Sequence, residues 1–337
     1  MIELDHLYLN LPGFSLWDIH LGVEEGDFFA LIGPTGSGKS LILEGMMGLM
    51  PFDRGRIRVG GRDITEVPVE RRPLAMVYQD YALFPHLNVT ENIHYGVRYH
   101  GIDPDEARRR FDRLVEVLDL SRILDRKPGT LSGGEQQRTA LARSLILNPR
   151  VLLLDEPLSA LDPSFRDEAK EWLRQIHQAL DMTLVMVSHD FNDVVYLANR
   201  AALIREGRLV QQGPTLDLFE HPASPFAAAF TGMKNVWPLE RARAMGMVPR
   251  RDLDPAHSWV GIRPEHLLPE PCATADHRFS GVVTVLRRQG VFTEVGIRLA
   301  GGESCWAAWP SHSLGQPPLT PGSRVGFGVW DSALHTL

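Results

Sequence analysis

The sequence predicts an α/β domain built on a parallel sheet with a helical insertion, followed by a small all-β barrel. Three observations predict this. Unbroken apolar runs at Phe28-Phe29-Ala30-Leu31-Ile32 and Val151-Leu152-Leu153-Leu154, and the apolar centre of Thr183-Leu184-Val185-Met186-Val187-Ser188, are each followed by polar or glycine residues, the texture of buried parallel strands. Helical periodicity lies between them, with Phe111, Leu114, Val115 and Leu118 on one stripe and Phe165, Ala169, Trp172, Leu173, Ile176 and Leu180 on another. Toward the C-terminus the pattern changes to short strands at 279–286, 292–299 and 324–330, with turns at Pro317-Pro318 and Pro321-Gly322. A length of 337 residues suits two domains.

The first strand runs into Gly33-Pro34-Thr35-Gly36-Ser37-Gly38-Lys39-Ser40, and Leu41-Ile42-Leu43-Glu44-Gly45-Met46-Met47 continues as a helix. Strand, glycine loop and helix in that order make a P-loop. Backbone N–H groups and a helix N-terminus satisfy phosphate oxygens without side-chain bulk. Gly33, Gly36 and Gly38 allow the close approach, and Pro34, Thr35, Ser37 and Leu41 complete the cradle. Lys39 is expected to reach the β- and γ-phosphates of ATP, and the Ser40 hydroxyl to ligate Mg²⁺.

Asp155 ends the second apolar run and is expected on Mg²⁺ or its waters; Glu156 follows as the residue that polarises the attacking water. His189 ends the third run as a γ-phosphate contact. Gln79 follows a further strand and is placed to touch Mg²⁺ or the attacking water. A second glycine turn, Leu131-Ser132-Gly133-Gly134-Glu135-Gln136-Gln137-Arg138, opens another helix and implies a second grip on phosphate.

Composition narrows the partners. Hydrophobic residues make up 44% and the formal net charge is −7, so no global attraction to nucleic acid is expected. The run Arg108-Arg109-Arg110 reads as a solvated helix face. The two cysteines, Cys272 and Cys305, form no CxxC pair, which argues against a zinc site or disulfide framework and suits a reducing compartment. No stretch has the ~18–20 uninterrupted apolar residues of a membrane helix, so any membrane spans are expected on another chain. Pro214, Pro222, Pro225 and Pro238 punctuate the end of the first domain. The expected division is 1–235 for the α/β domain, with helical residues at about 82–150, then a linker at 236–257 and the β domain at 258–337.

These motifs, in this order, resemble the ATPase subunit of an ATP-binding cassette (ABC) importer. The resemblance spans residues 1–235 and includes a D-loop at Ser159-Ala160-Leu161-Asp162. It implies an α/β P-loop NTPase with a RecA-like core and a helical subdomain. The phrase Gly261-Ile262-Arg263-Pro264-Glu265-His266 resembles the opening of an OB-like TOBE regulatory domain. The resemblance further implies a head-to-tail homodimer. Ser132, Gly133, Gly134 and Gln136 of one copy would bind ATP on the other's P-loop, and Asp162 would act across the same interface.

Family members stack an upstream aromatic on adenine. Phe14 is the candidate here, with Tyr8 as the alternative and Leu11 nearest the expected place. Implied partners are an integral membrane permease and a periplasmic or extracellular substrate-binding protein, with the ATPase peripheral on the cytoplasmic face. The segment Tyr78-Gln79-Asp80-Tyr81-Ala82-Leu83-Phe84-Pro85-His86 falls where such subunits receive the permease's coupling helix. The P-loop wording and Asp125-Arg126-Lys127-Pro128 resemble molybdate/tungstate importer ATPases, so an oxyanion is the expected cargo. Sulfate, ferric iron, polyamine and sugar importers share most of these features. The single P-loop, the short gap to the second glycine turn and the acidic balance argue against cassette ATPases that act on DNA or ribosomes. A small-metabolite kinase has no use for residues 131–137.

Overall fold

The computed structural model describes residues 1–159, 163–250, 258–271, 274–313 and 319–337. Ala160, Leu161, Asp162, Cys272, Pro317 and Pro318 therefore lie outside the described residues. The chain divides into two compact units, Met1–Leu216 and Asp217–Leu337.

The first unit opens on a hairpin of β1 (Ile2–Leu11) and β2 (Phe14–Val23), then enters β3 (Phe28–Ile32) and helix α1 (Lys39–Met47). Strands β4 (Arg54–Val59) and β5 (Arg62–Asp63) join the hairpin in an antiparallel sheet of order β2-β1-β4-β5. The chain then adds β6 (Leu74–Val77), helices α2 (Val89–His94), α3 (Val97–His100), α4 (Pro104–Val117) and α5 (Gly133–Leu145), and β7 (Val151–Asp155). Helix α6 (Pro163–Leu180), β8 (Thr183–Ser188), α7 (Phe191–Leu197), β9 (Arg200–Arg205) and β10 (Arg208–Pro214) follow.

The main sheet has the order β10-β9-β3-β8-β7-β6. Its strands are parallel except β10, which pairs antiparallel with β9. Every residue of β3 and β8 is buried, as expected of central strands covered on both faces. One core joins the two sheets: Leu4, Leu7, Ile19 and Leu21 pack in a single cluster with Ile42, Leu43 and Met46 of α1 and with Leu31, Leu153 and Val185. The main sheet thus holds α1, and with it the glycine loop, at one strand edge.

Both predicted helical stripes form, with one difference. Leu114 and Leu118 are buried, as are Leu173 and Ile176 of α6, but Phe165 is 56% exposed. Phe165, Ala169 and Trp172 form a second line on α6, offset from the Leu173–Ile176 line, and face a cleft beside Ser132 instead of the core. Arg109 and Arg110 pair with Glu106 on α4 (2.6 and 2.8 Å); Arg108 and Arg109 are exposed as expected, but Arg110 is half-buried and also donates to the Ile146 carbonyl at 3.2 Å. No helix among the described residues is long and apolar enough to cross a membrane.

The second unit holds a three-stranded sheet of β11 (Asn235–Pro238), β12 (Trp259–Ile262) and β18 (His335–Thr336). It also holds an antiparallel sheet of β13 (Leu268–Pro269), β14 (His277–Gln289), β15 (Phe292–Leu299), β16 (Ser304–Pro310) and β17 (Arg324–Val329), in the order β13-β17-β14-β15-β16. This all-antiparallel sheet curls into a half-barrel. Cys305 is a free thiol buried in its core, and that burial pushes its pKa up to about 12.

Arg263 is the polar anchor of this unit. It is only 3% exposed. It donates to the Thr231 carbonyl at 2.8 Å, to the Thr231 hydroxyl at 3.3 Å and to the Phe219 carbonyl, and its guanidinium lies 3.4 Å from the Phe219 ring centre. Arg263→Met keeps most of the side-chain volume but leaves buried carbonyls unpaired. We expect it to destabilise the second unit by about 2–4 kcal/mol, read by urea unfolding monitored through tryptophan fluorescence; an unchanged midpoint would contradict the assignment.

Candidate nucleotide site

Strand register brings the predicted residues to one edge. Ile32 pairs with Ser188, Asp155 with Val187, and Val77 with Leu154. One step beyond those pairs the chain reaches Gly33, His189 and Glu156, and the turn after β6 reaches Gln79. All lie past the C-terminal ends of parallel strands, where open α/β sheets bind ligands.

The loop after β3 is shaped by what its glycines lack. Gly33, Gly36 and Gly38 have φ of 152°, 78° and 101°, and side chains avoid this region. A Cβ at Gly33 would fall 2.1 Å from the Ile204 carbonyl oxygen, and one at Gly38 would fall 2.5 Å from Leu16 and 2.8 Å from Phe14. Lys39 is buried and donates to the Gly33 and Pro34 carbonyls, both at 2.9 Å. An ammonium has three N–H donors, so one remains for a phosphate oxygen. Burial lowers the Lys39 pKa, opposed by the charges of Glu156 and Asp155. A nearby polyanion would favour the charged lysine. The Ser37 hydroxyl is buried with no partner among the described residues.

The Ser40 hydroxyl donates to Asp155 Oδ1 at 3.0 Å. Burial raises the Asp155 pKa; the Ser40 hydrogen bond opposes that, Glu156 adds to it and Lys39 opposes it. Glu156 holds a left-handed φ of 45° and its Oε2 lies 3.2 Å from His189 Nδ1. Gln79 is exposed in its turn. Paired hard oxygen donors on Ser40 and Asp155, with a cationic lysine and a bare glycine loop alongside, fit a divalent ion with a phosphate chain.

Ser132 caps α5 through a reciprocal box: the Glu135 N–H donates to Ser132 Oγ at 3.3 Å, and the Ser132 N–H donates to Glu135 Oε2 at 2.7 Å. The turn borders a cleft of about 510 Å³ lined by Ser132, Gly133, Gly134, Arg138, Phe165 and Trp172 among others. The Gln136 amide donates to the carbonyls of Pro128 (3.2 Å) and Leu131 (3.3 Å), which braces the turn from behind.

Residues 16–159 match the ABC transporter family model and residues 260–337 match the TOBE domain model. The chain is 37% identical over 297 residues to the Fe(3+) ions import ATP-binding protein FbpC 1 of Rhizobium meliloti, covering 85% of this chain and 84% of that protein. The chain belongs to the ABC importer ATPases. Import ATP-binding subunits of this family are ATPases coupled to transport.

The chain is also 43% identical over 221 residues to the sulfate/thiosulfate import ATP-binding protein CysA of Nephroselmis olivacea, covering 66% of this chain and 64% of that one. It is 35% identical over 301 residues to the maltose/maltodextrin import protein MalK of Yersinia pestis, covering 84% and 81%. Among solved structures, a dimeric ATP-binding cassette in a post-hydrolysis state with ADP and Pi matches with a TM-score of 0.55 at 26% identity, over 64% of this chain and 99% of that chain.

The ABC ATPase places the upstream aromatics unequally. Phe14 is half-buried and packs against Gly38. With Leu11, Trp17 and Gly36 it lines an open pocket of about 490 Å³. Tyr8 is engaged instead with Asp18 through its hydroxyl. Trp17, not singled out from the sequence, is 48% exposed on that pocket, with the Arg208 guanidinium 5.3 Å from its ring centre.

Several contacts could not be found from sequence. Gln137, nearly fully buried, donates to the Pro157 carbonyl at 3.1 Å and links α5 to the loop after Glu156. Arg166 donates to Asp190 at 2.8 Å and to buried Asp193 at 2.5 Å, fixing the helix that follows His189. Arg143 of α5 donates to the carbonyls of Ala82 (2.7 Å) and Tyr81 (3.0 Å), whose φ values are 44° and 60°.

Non-glycine residues in that region store strain unless their surroundings hold them. Arg143→Met should release the 79–84 turn: amide exchange there should speed up by at least ~10-fold while β3 stays protected. Unchanged exchange would show that the turn holds itself.

Proposed function

We propose that this ABC ATPase binds MgATP on the 33–40 loop and hydrolyses it at a head-to-tail homodimer interface, powering import through a separate permease. The observation that carries the reading is the convergence of the Lys39–Ser40–Asp155 cluster with the Glu156–His189 contact of 3.2 Å at one sheet edge. Gly33, Pro34, Thr35, Gly36, Ser37, Gly38 and Leu41 form the cradle, and Lys39 neutralises the β- and γ-phosphates. Glu156 orients the attacking water, and His189 holds both Glu156 and the γ-phosphate end. Ser40, Asp155 and Gln79 would hold Mg²⁺, which would supply charge neutralisation on the phosphate oxygens.

The second grip would come from the other copy. The cleft at Ser132, Gly133 and Gly134 is lined by no residue of the 33–40 loop among the described residues, which supports completion by a partner's nucleotide. Gln136 braces that turn, Asp162 would act across the interface, and Phe14 would meet the adenine. The dimeric form of the related cassette supports the same arrangement. Glu156→Gln should bind ATP normally, lose at least ~100-fold in turnover and accumulate as an ATP-bound dimer in light scattering. Hydrolysis near the wild-type rate would end the proposal.

A groove of about 640 Å³, lined by Met47, Tyr78, Ala82, Phe84, Tyr95 and Leu147 among others, suits an amphipathic helix from the permease. Docking there would keep the ATPase peripheral on the cytoplasmic face of the membrane, with a substrate-binding protein on the far side. For cargo we favour an oxyanion such as molybdate or tungstate. The wording of the glycine loop and of residues 125–128 supports this, as does the similarity to a sulfate/thiosulfate importer subunit. With its permease and receptor in vesicles, the ATPase should drive uptake of labelled molybdate or tungstate; uptake of iron or maltodextrin instead would overturn the assignment.

A further inference from the structure

The β1–β2 hairpin carries a cluster of histidines and carboxylates that the nucleotide chemistry does not use. An uninterrupted strand would alternate its side chains between faces. Register shifts break that alternation between Leu4 and Leu7 in β1. The consecutive residues Asp5 and His6 both face away from the core, between buried Leu4 and Leu7. On β2, Trp17 and Asp18 do the same between buried Leu16 and Ile19, and His20 follows on that outer face.

His6 and Asp18 have φ of 50° and 54°, a conformation unfavourable for residues with a Cβ. The bulge at His6 is held by the neighbouring strand: a Cβ on Gly55 would sit 2.5 Å from the His6 carbonyl oxygen and 2.8 Å from that of Asp5. The backbone is therefore built to present these side chains together.

We propose that Asp5, His6 and His20 form a binding site for a divalent metal ion, Zn²⁺. One ligand atom from each of the three lies within 4.8 Å of the others. Asp5 Oδ1 is 3.9 Å from His6 Nε2 and 3.6 Å from His20 Nδ1. Two ligands bonded at ~2.0–2.1 Å to a tetrahedral ion stand roughly 3.3–3.4 Å apart, so small side-chain rotations complete the geometry.

The decisive feature is the other nitrogen of His6. Its Nδ1 is 2.5 Å from Asp18 Oδ1, and Asp18 is also held by the Tyr8 hydroxyl. A carboxylate on the remote ring nitrogen fixes the tautomer and leaves the lone pair of Nε2 facing the metal, the usual support of a metal-bound histidine. The two imidazoles stack face to face with centres 5.0 Å apart, which keeps both rings beside Asp5. Two imidazoles and one carboxylate select borderline ions over Mg²⁺ or Ca²⁺. Three protein ligands leave a fourth position for water.

The test is Zn²⁺ titration of the full chain by calorimetry after chelator treatment and without nucleotide, with Co²⁺ absorption as a second readout of coordination. Wild type should show a saturable site with one ion per chain. His6→Ala and His20→Ala should each weaken it by at least ~10-fold, and Asp18→Asn, which removes no ligand, by ~10–100-fold. His266→Ala, in the second unit, should leave it unchanged. The double variant His6→Ala/His20→Ala must still bind ATP, showing that it is folded. Wild-type Zn²⁺ affinity and stoichiometry in that folded double variant, or no saturable site in the wild type, would overturn the proposal.

Discussion

The first unit depends on one steric constraint: the chain leaving β3 must pass against β9 with no side chain between them. At Gly33 even a methyl group would enter the Ile204 carbonyl oxygen at 2.1 Å. That approach lets the loop wrap tightly enough for Lys39 to fold back onto the carbonyls of Gly33 and Pro34. It also seats Ser40 beside Asp155 of β7, which is two strands away across β8. A bulkier residue would displace the lysine, the serine and the N-terminus of α1 together, because all are consequences of the same turn. Conformational freedom and close approach are both glycine properties, and this position uses both.

The parts of the site that were legible in the sequence share a cause. Gly33 and Asp155 directly follow wholly apolar runs, Glu156 comes one residue later and His189 two residues after Leu184–Val187, and a run of that kind announces both a central strand and the edge where it ends. The N-terminal sheet was harder to read. Ile2 and Leu4 alternate, but the bulge at Asp5-His6 shifts the next buried residue to Leu7 and breaks the period. Strand β16 was hidden in another way: Cys305, Ala307 and Trp309 point inward, while Trp306 and Ala308 are also apolar, so no polar alternation marks it. Phe165 fell on a plausible core stripe yet lies outside, because α6 carries two apolar lines and only one meets the sheet. The contacts of Arg143, Gln137 and Arg166 left no local trace, since their partners are backbone carbonyls or carboxylates about 20 to 60 residues away.

The network around His189 shows how burial and charge combine. Asp193 is nearly inaccessible, and an isolated carboxylate there would be costly. Arg166 and Lys170 of α6 both approach it, at 2.5 and 3.7 Å. Arg166 also reaches Asp190, which caps α7. Two helices and the turn containing His189 are thereby fixed to each other, so the imidazole beside Glu156 is positioned by a rigid neighbourhood and not by its own contact alone.

Helix α5 adds a mechanical consequence. Gln137, Arg143 and Ser144 reach the Pro157, Tyr81, Ala82 and Met76 carbonyls, and Ser132 caps the start of the helix. Thirteen residues make an unbroken rod about 20 Å long. Such a rod bends far less readily than the turns it grips. A tilt imposed on its first turn would therefore be carried along the rod to the turn after β6 that Arg143 holds, without any intervening residue having to change shape.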